Sequence, residues 1–306
     1  MHVLFEPGLL SSGPVRTAAA LGAVVAIVSA VVGVFTVVRS QSFAGHALTD
    51  VATTGGAGAT LVGVSPLAGF LGGSVIGAGA MDAIGVQRVR SRDLATGIVL
   101  GAATGLSALF LYLETTRSAT TGVTQQILFG SIFTVDPSTV PVVAVLGAAT
   151  LLVIVAIRRP LTLSSVSSEV ASATGISVRG IGLAFMVALA VSVGLTSIAI
   201  GSILSTALLI GPAATAIRLT RTMRASVLLA CALGVATTWL GILLAYDSFY
   251  WDASSQGLPV SFFIVSITFA GYLVTGIPAV RRRVELRWRR GGTVRARTSA
   301  PIAAGG

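Results

Sequence analysis

His46, one of two histidines in this 306-residue chain, stands four residues before Asp50 in the stretch SFAGHALTD at 42–50. On an α-helix, positions i and i+4 share a face with their Cβ atoms about 5–6 Å apart. An imidazole and a carboxylate so placed can hydrogen-bond and fix packing, relay a proton, or offer one nitrogen and one oxygen to the same small cation. The spacing admits all three. Long apolar runs flank the pair on both sides. An ionisable group at membrane depth is costly unless it faces a bundle interior or an aqueous cavity, and there it marks a pathway.

The elements that must hold the pair follow from composition. The chain is 54% hydrophobic and 10% charged, with a mean hydropathy of +0.94, against roughly 45–50% apolar and 25% charged in soluble domains. It is an integral membrane protein. A bilayer core about 30 Å thick takes roughly 20 apolar residues per helix. The clearest such runs are 17–38, 94–113, 138–157, 178–199, 225–245 and 259–280, and polar residues, Gly or Pro weaken 42–60, 62–86 and 200–217. Eight or nine spans result, the first a true span rather than a cleavable signal. The period-2 alternation of barrel strands is missing, so the fold class is all-α, a polytopic helical bundle. Glycine-rich stretches such as GFLGGSVIGAGA at 69–80 supply close helix packing. Gly201, Gly211 and Pro212 interrupt the stretch 196–217, as expected either of a broken or re-entrant helix lining a cavity or of an ordinary proline kink. One transmembrane domain is expected over 1–280, followed by a disordered Arg-rich tail at 281–306.

Charge reports topology. All 20 basic residues are arginine, and eight of them fall in the tail from Arg281. That tail reads as a cytoplasmic terminus beside anionic lipid, not as a nucleic-acid arm. Counting back through the spans puts Arg218, Arg221 and Arg224, then Arg158, Arg159 and Arg179, then Arg88, Arg90 and Arg92, and Arg39 on the same side. Asp247 and Asp252 fall outside. Asp82 and Glu114 lie near predicted span ends, where interfacial water accounts for them. Cys231 is a packing residue, and a single cysteine excludes an internal disulfide framework. Without lysine there is no phosphate-binding G-x-x-x-x-G-K-S/T loop. A nucleophile elbow, an H-E-x-x-H helix and a paired-cysteine metal motif are missing too. The chain is therefore not read as a self-contained enzyme, and ATP, if it drives the process, binds another subunit.

Four stretches carry a resemblance. VVRSQSFAGHALTDVATTGG at 37–56 resembles the R-x-x-S-F/L/M-x-G-D/H-A opening of the second helix in the permease subunits of zinc, manganese and iron ABC transporters. SRDLATGIVLG at 91–101, QILFGSIFTVDPSTV at 126–140 and SILSTALLIGPAATA at 202–216 are similar to further motifs of that family, in the same order, across about 15–280. Two departures stand out. The family's second helix commonly has Asp before His, whereas here His46 precedes Asp50, with Thr54 where a proline follows. The family's D-P-E-F-A-R-A-x-G appears as SSEVASATG, which keeps Glu169, Ala171, Ala173 and Gly175 but has Ser167 for the aspartate.

The resemblance implies a permease of an ATP-driven importer of a divalent transition metal (Zn, Mn or Fe), bacterial and multi-pass in the plasma membrane, with a cytoplasmic C-terminus. It implies cytoplasmic ATPase subunits, an extracellular metal-binding protein and a second permease protomer. No cofactor is permanently bound. His46 and Asp50 become a transient metal site; Glu169, Ala171 and Gly175 become part of a short helix within 161–178 that docks on the ATPase. The remaining classes are a proton- or ion-coupled secondary carrier, an ABC permease for a metal chelate and a non-transporting scaffold. A bare ion suits His46 and Asp50 better than a chelate, which brings its own ligands.

Overall fold

A computed structural model describes residues 12–85, 92–118, 122–130, 132–248 and 257–277. Among these, the helices are α1 (Gly13–Val38), α2 (Ser42–Leu61), α3 (Pro66–Ile84), α4 (Arg92–Ser118), α5 (Gly122–Phe129), α6 (Thr139–Val166), α7 (Ser168–Ala173), α8 (Val178–Ile200), α9 (Ser202–Leu219), α10 (Met223–Ser248) and α11 (Val260–Gly276). The nine long helices match the nine apolar runs. The Arg-rich tail, the arginines at 88 and 90, and Asp252 lie outside the described residues.

Six helices (α1, α3, α4, α6, α8 and α10) have the length and hydropathy of spans, and α9 and α11 carry shorter apolar segments. At about 1.5 Å per residue, the 20 residues of α2 give about 30 Å, enough to cross a bilayer core. Gly, Thr, His and Asp dilute its apolar content. It is tolerated because α2 packs against α3, α4, α8 and α9, which shield much of its polar surface from lipid.

Local sequence sets the boundaries. Proline in the first turn opens α1 and α3, where its missing N–H costs nothing. Gly85, at φ 113°, closes α3 in the left-handed conformation that glycine adopts without a Cβ penalty. The α1–α2 turn places Ser40 at φ 54°, a conformation uncommon outside glycine and held only where surrounding contacts impose it.

Contacts between helix ends show that successive long helices reverse direction. The last turns of α1 and α6 meet through Arg39 and Ser164, and the end of α3 meets the start of α8 through Asp82 and Arg179. At the opposite end Trp239 of α10 donates to the Ala19 carbonyl of α1. One end of the bundle therefore carries Arg39, Arg92, Arg158, Arg159, Arg179, Arg218, Arg221 and Arg224. The described arginines at the other end are Arg16 and Arg117.

Two close approaches fix the interior. A Cβ on Gly55 would land on the Gly69 carbonyl oxygen and against Gly73, so bare backbone is what lets α2 and α3 touch. Gly201 (φ 82°) separates α8 from α9, and it lies against Gly130 (φ 74°) at the end of α5. A Cβ at either position would strike the other's backbone. The break expected between 196 and 217 therefore falls at Gly201, whereas α9 runs unbroken through Gly211 and Pro212.

Candidate functional site

The site grows from one exposed strip of α2. His46 is exposed and Asp50 half-buried, about 6 and 12 Å along the helix from its first residue at 1.5 Å per residue. No hydrogen bond or ion pair joins them; each is held by a threonine from a different helix. His46 Nδ1 lies 3.2 Å from the Thr206 hydroxyl of α9. With Nδ1 donating to that hydroxyl, Nε2 keeps its lone pair for a cation. On the other side, the Thr104 hydroxyl of α4 donates to Asp50 Oδ2 at 3.0 Å and shares its proton with its own Leu100 carbonyl at 2.8 Å.

The backbone beneath is also tied. Thr54 and Ser107 donate to the Asp50 carbonyl at 3.0 and 3.2 Å, and their hydroxyls lie 2.7 Å apart. Under His46, the Thr49 hydroxyl lies 3.2 Å from that of Thr206 and accepts from Ser205 at 3.3 Å. Gly201 starts α9 one turn before Ser205 and Thr206, so its turn sets the position of these hydroxyls. The sequence reading missed Thr104, Thr206, Thr49, Ser205 and Ser107. Their signal was available only as hydroxyls inside otherwise apolar motifs, and that signal cannot say which helix faces which.

Among the described residues no three His, Cys, Asp or Glu side chains come together. One chain thus presents a nitrogen, a carboxylate and hydroxyl oxygens on an open face, an incomplete set for a divalent ion and one suited to brief residence.

A second group sits at the arginine end. Ser167 caps α7 by accepting from the Val170 N–H at 3.2 Å, and Glu169 lies in the first turn, where a carboxylate complements the helix dipole. Glu169 is exposed and Ala171 fully buried, and Gly175 turns the chain at φ 79°. Ala171 seats the short helix, leaving the exposed Glu169 and Val170 as its outward surface. The stretch 161–166 belongs to α6, so the short helix is limited to 168–173. Just before it, Arg39 Nη1 donates to Ser164 and Ser165 at 3.0 and 3.4 Å, and its guanidinium lies 5.4 Å from the Phe185 ring centroid. Arg39 therefore ties the turn that begins α2 to the segment that ends in α7.

Gly211 packs on Thr268 of α11, and Pro212 lies within α9. Contrary to the sequence reading, Asp82 and Glu114 are not left to interfacial water. Glu114 is 8% exposed, and the Asp82 side chain is 10% exposed and 3.6 Å from Arg179. At the opposite end a cavity of about 400 Å³ lies between α2, α3, α5 and α8, with Asp136 on its rim. Hydrogen bonds from the Ser138 side chain and backbone hold that carboxyl below its ordinary pKa, so the rim carries negative charge.

Comparison with known proteins agrees with this architecture. The profile of the ABC 3 transport family matches residues 13–274. The chain is 32% identical over 255 residues to the manganese transport system membrane protein MntC of Halalkalibacterium halodurans, covering 82% of this chain and 84% of that one. It is 30% identical to the manganese import system permease protein ScaB of Streptococcus pneumoniae over 238 residues, 76% and 80% of the two chains. A solved structure described as PsaBC from Streptococcus pneumoniae in complex with Fab superposes with a TM-score of 0.76 at 24% identity, over 92% of this chain and 97% of that one.

Proposed function

The chain belongs to the ABC 3 transport family, and from that premise we propose that it is the membrane permease of an ATP-driven importer of a divalent transition metal, manganese foremost. The observation that carries the reading is the placement of His46 and Asp50 on an open strip of α2, each steadied by a hydroxyl from a different helix. A cation crossing hydrocarbon must exchange water for protein ligands. A carboxylate and hydroxyls with a single imidazole form an oxygen-rich set without thiolate, which suits Mn²⁺ and tolerates Fe²⁺ or Zn²⁺.

Transport needs partners of stated kinds. ATP hydrolysis belongs to a separate cytoplasmic subunit, since the chain has no lysine for a phosphate loop. That subunit docks on α7 through Glu169 and Val170. An extracellular metal-binding protein delivers the ion at the end that carries Asp136. A second permease copy completes the ligand set by bringing its own open strip to the same axis. This arrangement places the arginine end in the cytoplasm.

The test is radiometal uptake into vesicles holding the permease with its ATPase, with the metal-binding protein supplied outside. Uptake of ⁵⁴Mn should require internal ATP and fall to background in His46→Ala and Asp50→Ala, with normal membrane levels of both variants. Full uptake in either variant removes the site. Uptake by the permease alone on an ion gradient makes the chain a secondary carrier. Competition by unlabelled Zn²⁺ or Fe²⁺ at lower concentration than Mn²⁺ would reassign the metal.

A further inference from the structure

Helices α6 and α10 both pack on α1 but make no substantial contact with each other. They leave a cavity of about 820 Å³ at the arginine end, within the roughly 300–1,000 Å³ of ligand-sized pockets. Its floor is apolar: Val31 and Phe35 of α1, with Ile154 of α6. Its outer lip is formed by side chains that face the lipid flank, Val155 at 57% and Leu228 at 72% exposed. Toward the end of the bundle the lining changes character. Arg158 and Arg159 of α6 and Arg224 of α10 border the same space, and the lining contains no aspartate or glutamate to neutralise them.

We propose that this cleft is a binding site for one anionic phospholipid. Three guanidiniums at the rim match a phosphate headgroup, which arginine binds through paired, charge-assisted hydrogen bonds. The apolar floor and lip match an acyl chain lying between α6 and α10. A headgroup at this level with its chain running toward the bilayer centre is the geometry of basic pockets between membrane helices. A docked protein fits less well, because the cleft is bordered on its outer side by exposed leucine and valine, whereas the exposed Glu169 and Val170 belong to α7, beyond the end of α6. On the orientation proposed above, the lipid belongs to the inner leaflet. The cleft is separate from the His46–Asp50 strip, so failure of either reading leaves the other standing.

Native mass spectrometry of the purified full-length permease–ATPase complex, supplied with phosphatidylglycerol or phosphatidylcholine, tests this. One phosphatidylglycerol should be retained in preference to phosphatidylcholine. At about 1 kcal/mol per arginine near an anionic headgroup, Arg158→Gln/Arg159→Gln/Arg224→Gln should weaken retention on the order of 100-fold, and Arg179→Gln at the same end should not. Equal retention of the two lipids, or unchanged phosphatidylglycerol binding in the triple variant, overturns the proposal. So does displacement by millimolar inorganic phosphate, which would make this a soluble-anion site, or loss of the ATPase with lipid binding intact, which would make it a subunit interface. Should the triple variant fail to fold, Leu228→Trp in the otherwise native chain serves instead. Its added fluorescence should be quenched more by brominated phosphatidylglycerol than by brominated phosphatidylcholine, and equal quenching overturns the site.

Discussion

At the residue scale, His46 and Asp50 each depend on a hydroxyl from a distant part of the chain. Thr206 lies 160 positions from His46, and Thr104 lies 54 from Asp50. Only the fold brings such hydroxyls to the pair, and a threonine in an apolar run otherwise bonds to its own helix carbonyl, as Thr150 does. No hydrogen bond joins His46 to Asp50; a packing pair fixed by such a bond should have one, and here each side chain instead meets a threonine of another helix. Thr206→Val and Thr104→Val keep the shape and delete one hydrogen bond each, worth about 1 kcal/mol. Each should raise the half-saturating concentration for ⁵⁴Mn uptake roughly five-fold with little change in membrane levels. A variant with unaltered uptake would show that its hydroxyl does not orient the ligand. The exchange His46→Asp/Asp50→His should retain part of the uptake, because the strip offers one nitrogen and one oxygen in either order. If both single alanine variants are dead and the exchange is dead too, the threonine partners dictate ligand geometry.

At the scale of elements, the nine apolar runs form the nine long helices among the described residues, and the two short helices differ in how plainly the sequence marks them. The capped α7 is foreseeable from SSEVASATG, but it begins later than the stretch 161–178 suggests, because α6 continues past Arg158 and Arg159 as far as Val166. Nothing in its composition marked α5 as a separate element. Arg39 adds a connection that sequence could not supply: it joins the α1–α2 turn, strained at Ser40, to the serines that precede α7. Movement of an ATPase against α7 would reach α2 by that route. Arg39→Gln should therefore leave expression and ATPase association intact while reducing metal-stimulated ATP hydrolysis several-fold. Arg39→Lys, which keeps charge but loses the planar fork, should fall between. Equal stimulation in wild type and Arg39→Gln would rule out the route. Replacing 167–173 by a Gly/Ser linker should abolish co-purification of the ATPase, a result read independently of transport.

At the scale of the whole molecule, the arginine asymmetry gives a direct test of orientation. In a Cys231→Ala background, Ser138→Cys lies at the Asp136 end and Ser172→Cys on α7 at the arginine end. An impermeant maleimide applied to intact cells should label the first and spare the second; the reverse pattern would invert the molecule. The all-helical class, the order of the apolar helices and the family were legible because hydropathy and four ordered motifs act over the whole length. The cleft between α6 and α10 was not, since it depends on two helices that share a neighbour without touching each other.

The meeting of Gly130 with Gly201 has a consequence for how this sequence can change over generations. Each residue's missing side chain makes room for the other's main chain, not for its side chain, so no substitution at one position can compensate for a substitution at the other. Most tight contacts drift in pairs, a larger residue opposite a smaller one, and leave a record of correlated change. This pair can only stand still. In a saturation scan both positions should accept glycine alone, with no second-site rescue between them. Methods that infer proximity from correlated substitution would then pass over a contact on which the position of α9 depends.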